Sequence, residues 1–245
     1  MAVVYPNGTG WVGCFIINAE SRGKGLGREL WKEMDITFRR NATTMIGLDG
    51  VLEQVETYKR RGFEDVGRVP LMKRTSLQYK PTIAHVDLEE AVELQDLRDI
   101  DPGELRRLDL EHTGLDRAAY WVTAELSTRR DSFGFAIVKE GKLTGLIYVR
   151  HCEHGHRFGP LYAETYAQAK QLLHKAMNDC ARPEGYHAEI FGSNPEGRRV
   201  FEELGWEYAG LSYHRMWLHG RVPEEQVEGG KGTKGMYAIL DAACG

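Results

Sequence analysis

Residues 22–27 combine positive charge with a flexible backbone. They read Arg22, Gly23, Lys24, Gly25, Leu26 and Gly27. The segment follows an apolar run and precedes residues with helical spacing, which predicts a turn that opens a helix. The first N–H groups of a helix have no acceptor within the helix, and the helix dipole adds partial positive charge there. Because glycine lets an anion approach the backbone closely, the segment predicts a pyrophosphate site.

Other phosphate-binding turns fit these residues less well. A dinucleotide-binding turn has the spacing G-x-G-x-x-G, and here the third glycine comes one position early. Asp49 lies about as far along the chain as the acidic residue of that fold, so this test alone does not decide. However, an antiparallel hairpin precedes the turn, where that fold has the first strand of an alternating unit. The Walker A pattern G-x-x-x-x-G-K-[ST] is not matched. A glycine-rich turn without a ligand stays open as a third interpretation.

The elements around the turn follow from turn residues and hydrophobic spacing. Apolar runs at 2–5 and 11–18 flank an Asn-Gly turn, which predicts a hairpin, and the second run predicts a strand buried on both faces. An amphipathic helix follows the glycine turn. A second helix at 51–61 ends at Gly62, and a strand at 63–72 comes after it.

The rest of the chain repeats this order of elements. Tyr-Lys-Arg-Arg-Gly-Phe at 58–63 corresponds to Phe-Glu-Glu-Leu-Gly-Trp at 201–206, which indicates an internal duplication. A polar stretch separates the two copies. We therefore predict one unit at residues 1–75 and another at 82–220. Residues 221–245 form a tail, which we expect to be mobile up to a short apolar patch.

Composition narrows the class of protein. The 245 residues are 42% apolar and 28% charged with a net charge of −4, an ordinary globular balance without the basic excess of nucleic-acid binders. No apolar run approaches 18 residues and no secretory signal opens the chain, so we expect no membrane partner. Four scattered cysteines predict reduced thiols in a cytoplasmic protein. The His-Cys-Glu-His-Gly-His stretch at 151–156 predicts a hairpin turn, and we predict no metal site.

The glycine turn resembles that of the GNAT N-acetyltransferase superfamily. The superfamily signature [Q/R]-x-x-G-x-[G/A] is matched by Arg22, Gly25 and Gly27. In that family the turn holds the pyrophosphate of coenzyme A, and the preceding strand splays from its neighbour to pair with the pantetheine arm. The resemblance implies the following coenzyme contacts: Phe15, Ile16, Ile17, Arg22, Gly23, Lys24, Gly25, Leu26 and Gly27.

A second motif of the same family, Tyr-x-x-x-Gly-Phe, spans residues 58–63. The resemblance implies that Tyr58 protonates the departing thiolate, and a phenol is a suitable proton donor for a thiolate. In the second copy Phe201 stands in place of this tyrosine, and Glu164 with its neighbours replaces the glycine turn. The second copy is therefore interpreted as non-catalytic.

The resemblance narrows to YitH-like proteins, which carry a diverged acetyltransferase-like domain at the C-terminus, and it covers residues 2–218. It implies an α/β (α+β) fold: a mixed, mostly antiparallel sheet flanked by helices, in two tandem units. The first unit lacks the N-terminal elements of that fold. The chain is then a truncated product, borrows cover from its second half, or forms a homodimer.

The resemblance implies that the chain transfers an acetyl group from acetyl-coenzyme A, as co-substrate, to a small-molecule or peptide amine. The alternative is a non-catalytic coenzyme-binding or structural remnant of such a protein. Asp49 and Glu20 are candidate bases for the amine, although both residue types more often lie in solvent or cap helices.

Overall fold

One continuous sheet runs through both halves of the chain. The computed structural model describes residues 1–75, 94–122, 129–180 and 185–245. Within these residues the sheet has eleven strands. Helices pack on both of its faces. Adjacent strand residues such as Ala136 and Ile137 point to opposite faces, and each belongs to a different hydrophobic cluster that includes helix residues. The linker predicted between the units, 76–81, lies outside the described residues, and the unit boundaries stay a prediction.

The elements follow one another in an order that repeats once. The strands are β1 (Ala2–Val4), β2 (Thr9–Val12), β3 (Met45–Gly50), β4 (Phe63–Arg74), β5 (Leu94–Asp96), β6 (Ser132–Lys139), β7 (Lys142–Cys152), β8 (Gly155–Tyr162), β9 (Tyr186–Glu189), β10 (Glu207–Leu218) and β11 (Met236–Ala238). The helices are α1 (Leu26–Arg40), α2 (Val55–Lys59), α3 (Pro102–Thr113), α4 (Ala118–Val122), α5 (Tyr166–Asp179), α6 (Gly197–Glu203) and α7 (Lys231–Gly235).

The two halves exchange their last strands. The strand order is β1-β2-β3-β10-β4-β9-β8-β7-β6-β5, with β11 paired to β8. Strand β10 of the second half therefore lies between β3 and β4 of the first, and β4 pairs with β9 of the second. Strands β2 and β3 are parallel, as are β8 and β9, whereas the other paired strands are antiparallel. The mixed, mostly antiparallel sheet expected from the sequence is confirmed.

Local signals in the first half place most of its elements correctly. The hairpin is confirmed by β1 and β2, which pair antiparallel around the Asn-Gly turn. The expected helix at 51–61 is a 3₁₀ turn followed by α2, and Gly62 ends it with a φ of 88°. Only glycine adopts this backbone conformation routinely.

The prediction of one buried strand over 11–18 is wrong beyond Val12. The β2–β3 ladder ends at the pair Trp11 and Gly47. Cys14 then takes a φ of 47°, a left-handed conformation that interrupts an extended strand. The residues after Cys14 no longer pair with β3, and Ile16 is 71% exposed. The apolar run thus leaves the sheet instead of crossing its interior.

The apolar patch at the end of the predicted tail is part of the sheet. Strand β11 pairs with β8, and Met236, Tyr237, Ala238, Ile239 and Leu240 are all buried. The segment runs between β8 and β9, where the Ile239 N–H donates to the Glu189 carbonyl at 2.9 Å. The strands that this segment pairs with lie more than 45 residues earlier in the chain. No local pattern of helix or hairpin in the sequence therefore predicts its position.

The end of the chain also covers one face of the first half. The ring of Trp11 points away from α1, packs edge-to-face on Trp217 and donates from Nε1 to the Ala242 carbonyl at 2.9 Å. Tyr5 donates to the Cys244 carbonyl at 2.5 Å. Asn7 donates to the Gly114 carbonyl at 2.9 Å. This face of the first half is therefore covered by residues of the second half and of the C-terminal segment.

A buried ion pair joins the two halves at the exchanged strand. Arg215 of β10 donates to both carboxylate oxygens of Asp49 in β3, from Nε at 2.9 Å and from Nη2 at 2.7 Å. Both side chains are almost fully buried. A third bond runs from Arg215 Nη1 to the Gln226 side-chain oxygen at 3.1 Å. Since charges are costly to bury without a partner, this pair fixes the register of β10.

We expect Asp49→Asn to destabilise the protein by about 3 kcal/mol or more, because it leaves the buried Arg215 guanidinium without its counter-charge. The measurement is equilibrium urea unfolding. The matched control is Glu56→Gln, which removes an exposed partner of Lys59 and should leave the midpoint unchanged. Equal midpoints for Asp49→Asn and the parent protein would contradict this assignment.

Candidate functional site

The glycine turn forms an open helix start. Gly23 and Gly25 have φ angles of 78° and 79°, and a Cβ at either position would meet nothing within 4 Å. Gly25 is the N-cap of α1. The Arg28 N–H donates to the Gly25 carbonyl at 2.9 Å, as the first closed bond of the helix. The N–H groups before it are those that a helix start leaves for an external acceptor.

A cavity of about 370 Å³ lies against this turn. Its lining includes seven of the nine residues predicted to contact the coenzyme: Phe15, Ile17, Arg22, Gly23, Gly25, Leu26 and Gly27. It is completed by Ser21, Arg28, Thr57 and Arg61. The other two predicted residues, Ile16 and Lys24, do not line it. Ile16 points to solvent because adjacent residues of an extended segment face opposite ways.

The cavity is electropositive. Among its described lining residues the charged side chains are Arg22, Arg28 and Arg61. Arg22 is held over the turn by a 3.1 Å bond from its Nε to the Ile17 carbonyl. The Arg61 guanidinium lies 4.1 Å from the ring centre of Trp31. Burial lowers the pKa of Arg61, and the neighbouring Arg28 and Arg60 charges lower it further. An anion in the cavity would relieve this repulsion, so the site suits a polyanionic ligand.

An opening between two parallel strands leads away from the cavity. Strands β2 and β3 separate after Trp11 and Gly47, while β3 continues to Gly50. The Phe15 ring turns back to meet Trp31 edge-to-face at 5.4 Å. The N–H and carbonyl groups of this extended segment have left the β2–β3 ladder. An elongated ligand arm can pair with such a free strand edge.

Tyr58 is held near the end of β3. Its ring packs on Gly50, where a Cβ would lie 2.9 Å from the tyrosine Cε2. It also faces Trp31 and Phe63, with ring centres 6.1 and 6.3 Å away. Burial raises the pKa of Tyr58, and the Arg61 charge partly opposes the shift. Tyr58 does not line the cavity, but Thr57 beside it on α2 and Arg61 in the following turn do, so Tyr58 adjoins the cavity.

One polar pair beside Tyr58 was missed by sequence reasoning. His214 of β10 is the cross-strand partner of Gly50, and its Nδ1 lies 2.8 Å from Asp65 Oδ2. The pair joins residues 149 positions apart in the chain. Strand exchange brings them together, and neither residue type nor spacing signals that contact.

The equivalent region of the second half is closed at two places. Thr165 caps α5 by accepting from the Gln168 N–H at 3.3 Å, and the Gln168 side chain accepts from the Glu164 N–H at 3.2 Å. This reciprocal capping uses N–H groups of the kind that the first half leaves free. The opening between β8 and β9 is filled by β11, and Phe201 is buried at the position of Tyr58.

The residues considered as bases or metal ligands have other roles here. Asp49 is committed to Arg215, and burial raises its pKa while the guanidinium opposes the rise. Glu20 is exposed in the 3₁₀ turn before the glycines. Residues 151–156 form the hairpin turn between β7 and β8, as expected. In the described ranges, no cluster of three or more His, Cys, Asp or Glu side chains has the geometry of a metal site.

Comparison with known proteins agrees with this fold. The model of the acetyltransferase (GNAT) domain matches residues 105–227, half of the chain. The chain belongs to the GNAT acetyltransferase family. The match lies mainly on the second half, whereas the glycine turn and Tyr58 lie in the first. The narrower YitH-like resemblance stays a prediction.

A relative of known activity is an acyltransferase. The holothin acyltransferase of a Pseudoalteromonas strain is 29% identical over 178 residues, which cover 71% of this chain. The chain spans 55% of that enzyme's length. The family model and this relative therefore both describe proteins that transfer acyl groups.

Solved structures show the same fold at low sequence identity. A protein from Pyrococcus horikoshii assigned to the acetyltransferases has a TM-score of 0.75 at 21% identity, covering 100% of this chain and 74% of its own. A tandem GNAT protein from the clavulanic acid biosynthesis pathway has a TM-score of 0.59 at 15% identity, and the match covers 85% of this chain and 74% of that protein.

None of the helices in the described ranges has the length and apolar character that spanning a membrane requires.

We expect inorganic pyrophosphate to raise the Tm of the protein and Gly25→Glu to abolish the effect, because the new carboxylate occupies the helix start. At about 100 times its Kd, a ligand stabilises the native state by about 2.7 kcal/mol. Gly141→Glu is the matched control, since Gly141 also has a positive φ of 76° and open space around it. Equal shifts in both variants would place the anion elsewhere.

Proposed function

We propose that this protein transfers an acetyl group from acetyl-coenzyme A to the nitrogen of an amine. The observation that carries the proposal is the arginine-lined cavity at an open helix start, next to two diverging parallel strands. A pyrophosphate fits the cavity, and a pantetheine arm fits the opening between β2 and β3. The thioester would then lie near Gly50, where Tyr58 packs.

The reaction begins when the lone pair of the neutral amine attacks the thioester carbonyl carbon. A carbon–nitrogen bond forms and the carbonyl oxygen becomes an oxyanion, which backbone N–H groups near the end of β2 stabilise. The tetrahedral intermediate collapses with cleavage of the carbon–sulfur bond. The nitrogen releases one proton to solvent, and the thiolate takes one proton from the enzyme. The enzyme regains its proton from solvent before the next turnover.

Tyr58 supplies the proton to the thiolate. Its raised pKa keeps the phenol protonated at neutral pH, and the proton passes to the thiolate as the carbon–sulfur bond breaks. Arg61 lies in the turn after α2, and its charge favours the phenolate that remains. The ring is fixed by Gly50 and Trp31, so the oxygen keeps its position during the reaction.

The acceptor is an amine that reaches the thioester from outside the coenzyme cavity. The name of the acyltransferase relative gives holothin as its substrate, which supports a small-molecule acceptor for this chain. The net charge of −4 gives no reason to expect a nucleic-acid partner. No step in the proposed reaction uses a metal ion.

Tyr58→Phe should lower kcat by about 10²-fold or more, because general acid catalysis contributes factors of that size. The affinity for acetyl-coenzyme A should not change, since phenylalanine preserves the ring contacts. Thiol release with an amine acceptor measures the rate. Tyr208→Phe is the control, because Tyr208 is exposed on β10. A Tyr58→Phe protein with undiminished kcat would remove Tyr58 from this role.

Each chain should bind one molecule of acetyl-coenzyme A. Among the described residues of the second half, the capped start of α5 and the filled opening between β8 and β9 obstruct a corresponding site. Isothermal titration calorimetry should therefore give a stoichiometry near one, and Gly25→Glu should abolish all of the binding. Two equivalents per chain, or one that survives in Gly25→Glu, would contradict this.

A further inference from the structure

A second cavity lies on the face of the sheet opposite Tyr58. Its volume is about 680 Å³, within the range of small-molecule sites. Its walls come from β4, from the loop after β9 and from the C-terminal segment 222–234, and its floor comes from β10. Its lining includes Val66, Arg215, Val227, Glu228 and Lys234.

The floor of this cavity is connected to the proposed reaction centre through one strand end. Arg215 forms part of the floor and binds Asp49 of β3. The next residue, Gly50, faces the other side of the sheet and carries the Tyr58 ring. The cavity and Tyr58 therefore flank the same end of β3 from opposite faces. A molecule in the cavity would lie on the face of the sheet away from the proton donor.

The walls are largely apolar. Val66 of β4 is 41% exposed, and Val227 of the C-terminal segment is 44% exposed. Both side chains line this one cavity, so a ligand between them would remove both from water. Val66 is at a bulge, where the β4–β10 register shifts between Arg215 and Met216. The bulge redirects the Val66 side chain, which points into the cavity.

The charges of the cavity balance one another. Arg215 on the floor is neutralised by Asp49. Among the described lining residues the other charged side chains are Glu228 and Lys234, one acid and one base at the exposed rim. A polyamine needs an excess of carboxylates, and an anionic acceptor needs an excess of cations. Neither arrangement is present in the described lining.

We infer that this cavity binds the acyl acceptor, and that the acceptor is a predominantly apolar amine with a single basic nitrogen and no carboxylate. The inference rests on the proposed acetyl transfer. Val66 and Val227 contact the apolar body of the acceptor, and their identity selects it. The C-terminal segment is then the part of the chain that sets acceptor specificity.

The test uses 2-phenylethylamine as probe, with spermidine and glutamate as charged comparisons. Binding is measured by calorimetry in the presence of coenzyme A, and thiol release is measured with acetyl-coenzyme A. We expect 2-phenylethylamine to bind and to have the highest kcat/KM of the three. Val227→Asp and Val66→Asp should each raise its Kd and KM at least tenfold, whereas the KM of acetyl-coenzyme A should not change. Ile36→Asp, a similarly exposed apolar position on α1, is the control.

The outcomes separate this inference from the proposed function. Binding of 2-phenylethylamine that depends on Val66 and Val227 but gives no thiol release would support the cavity and overturn acetyl transfer. Thiol release with spermidine or glutamate but not with 2-phenylethylamine would keep acetyl transfer and overturn the acceptor class. Absent binding of 2-phenylethylamine, or unchanged binding in both valine variants, would overturn the assignment of the cavity.

Discussion

The position of β10 between β3 and β4 is the constraint on which both proposed sites depend. Without β10, β3 would present an open edge and Asp49 would have no counter-charge. With it, one strand carries Arg215 on one face and His214 on the other. A shift of one residue would exchange these faces and bury an unpaired arginine beside Tyr58. The ion pair therefore specifies the register that aligns both faces of the site, and it adds such specificity even where its net contribution to stability is small.

The two halves share a topology but treat their helix starts differently. In the first half, Gly23 and Gly25 hold the backbone in a conformation that leaves the N–H groups of the helix start pointing outward without side chains around them. In the second half, Thr165 and Gln168 satisfy the corresponding groups locally. A helix start satisfied by its own side chains is stable without a ligand, whereas one left open needs water or an anion. The first helix start is thus suited to binding an anion, whereas the second is stable without one.

Short-range signals were sufficient for much of this structure. The Asn-Gly turn and the glycine at 62 each act through their own backbone, so the hairpin and the end of α2 were predictable. The glycine turn was predictable for the same reason. The strand exchange was not, because β10 pairs with residues more than 130 positions away and its sequence suits any buried strand. The same limit explains why Asp49 was considered as a base: its partner could not be identified without the fold.

The C-terminal segment, which the sequence analysis describes as a tail, has three structural roles. Residues 236–240 fill the opening between β8 and β9, and residues 241–245 cover Trp11 of the first half. The portion just before them, residues 222–234, closes the cavity assigned to the acceptor. The buried part is tied to backbone partners and can change little. In the cavity wall, in contrast, Val227 is 44% exposed, so a substitution there affects few internal contacts. Substitutions in that wall can therefore change the acceptor while the coenzyme site, formed by another part of the chain, stays the same.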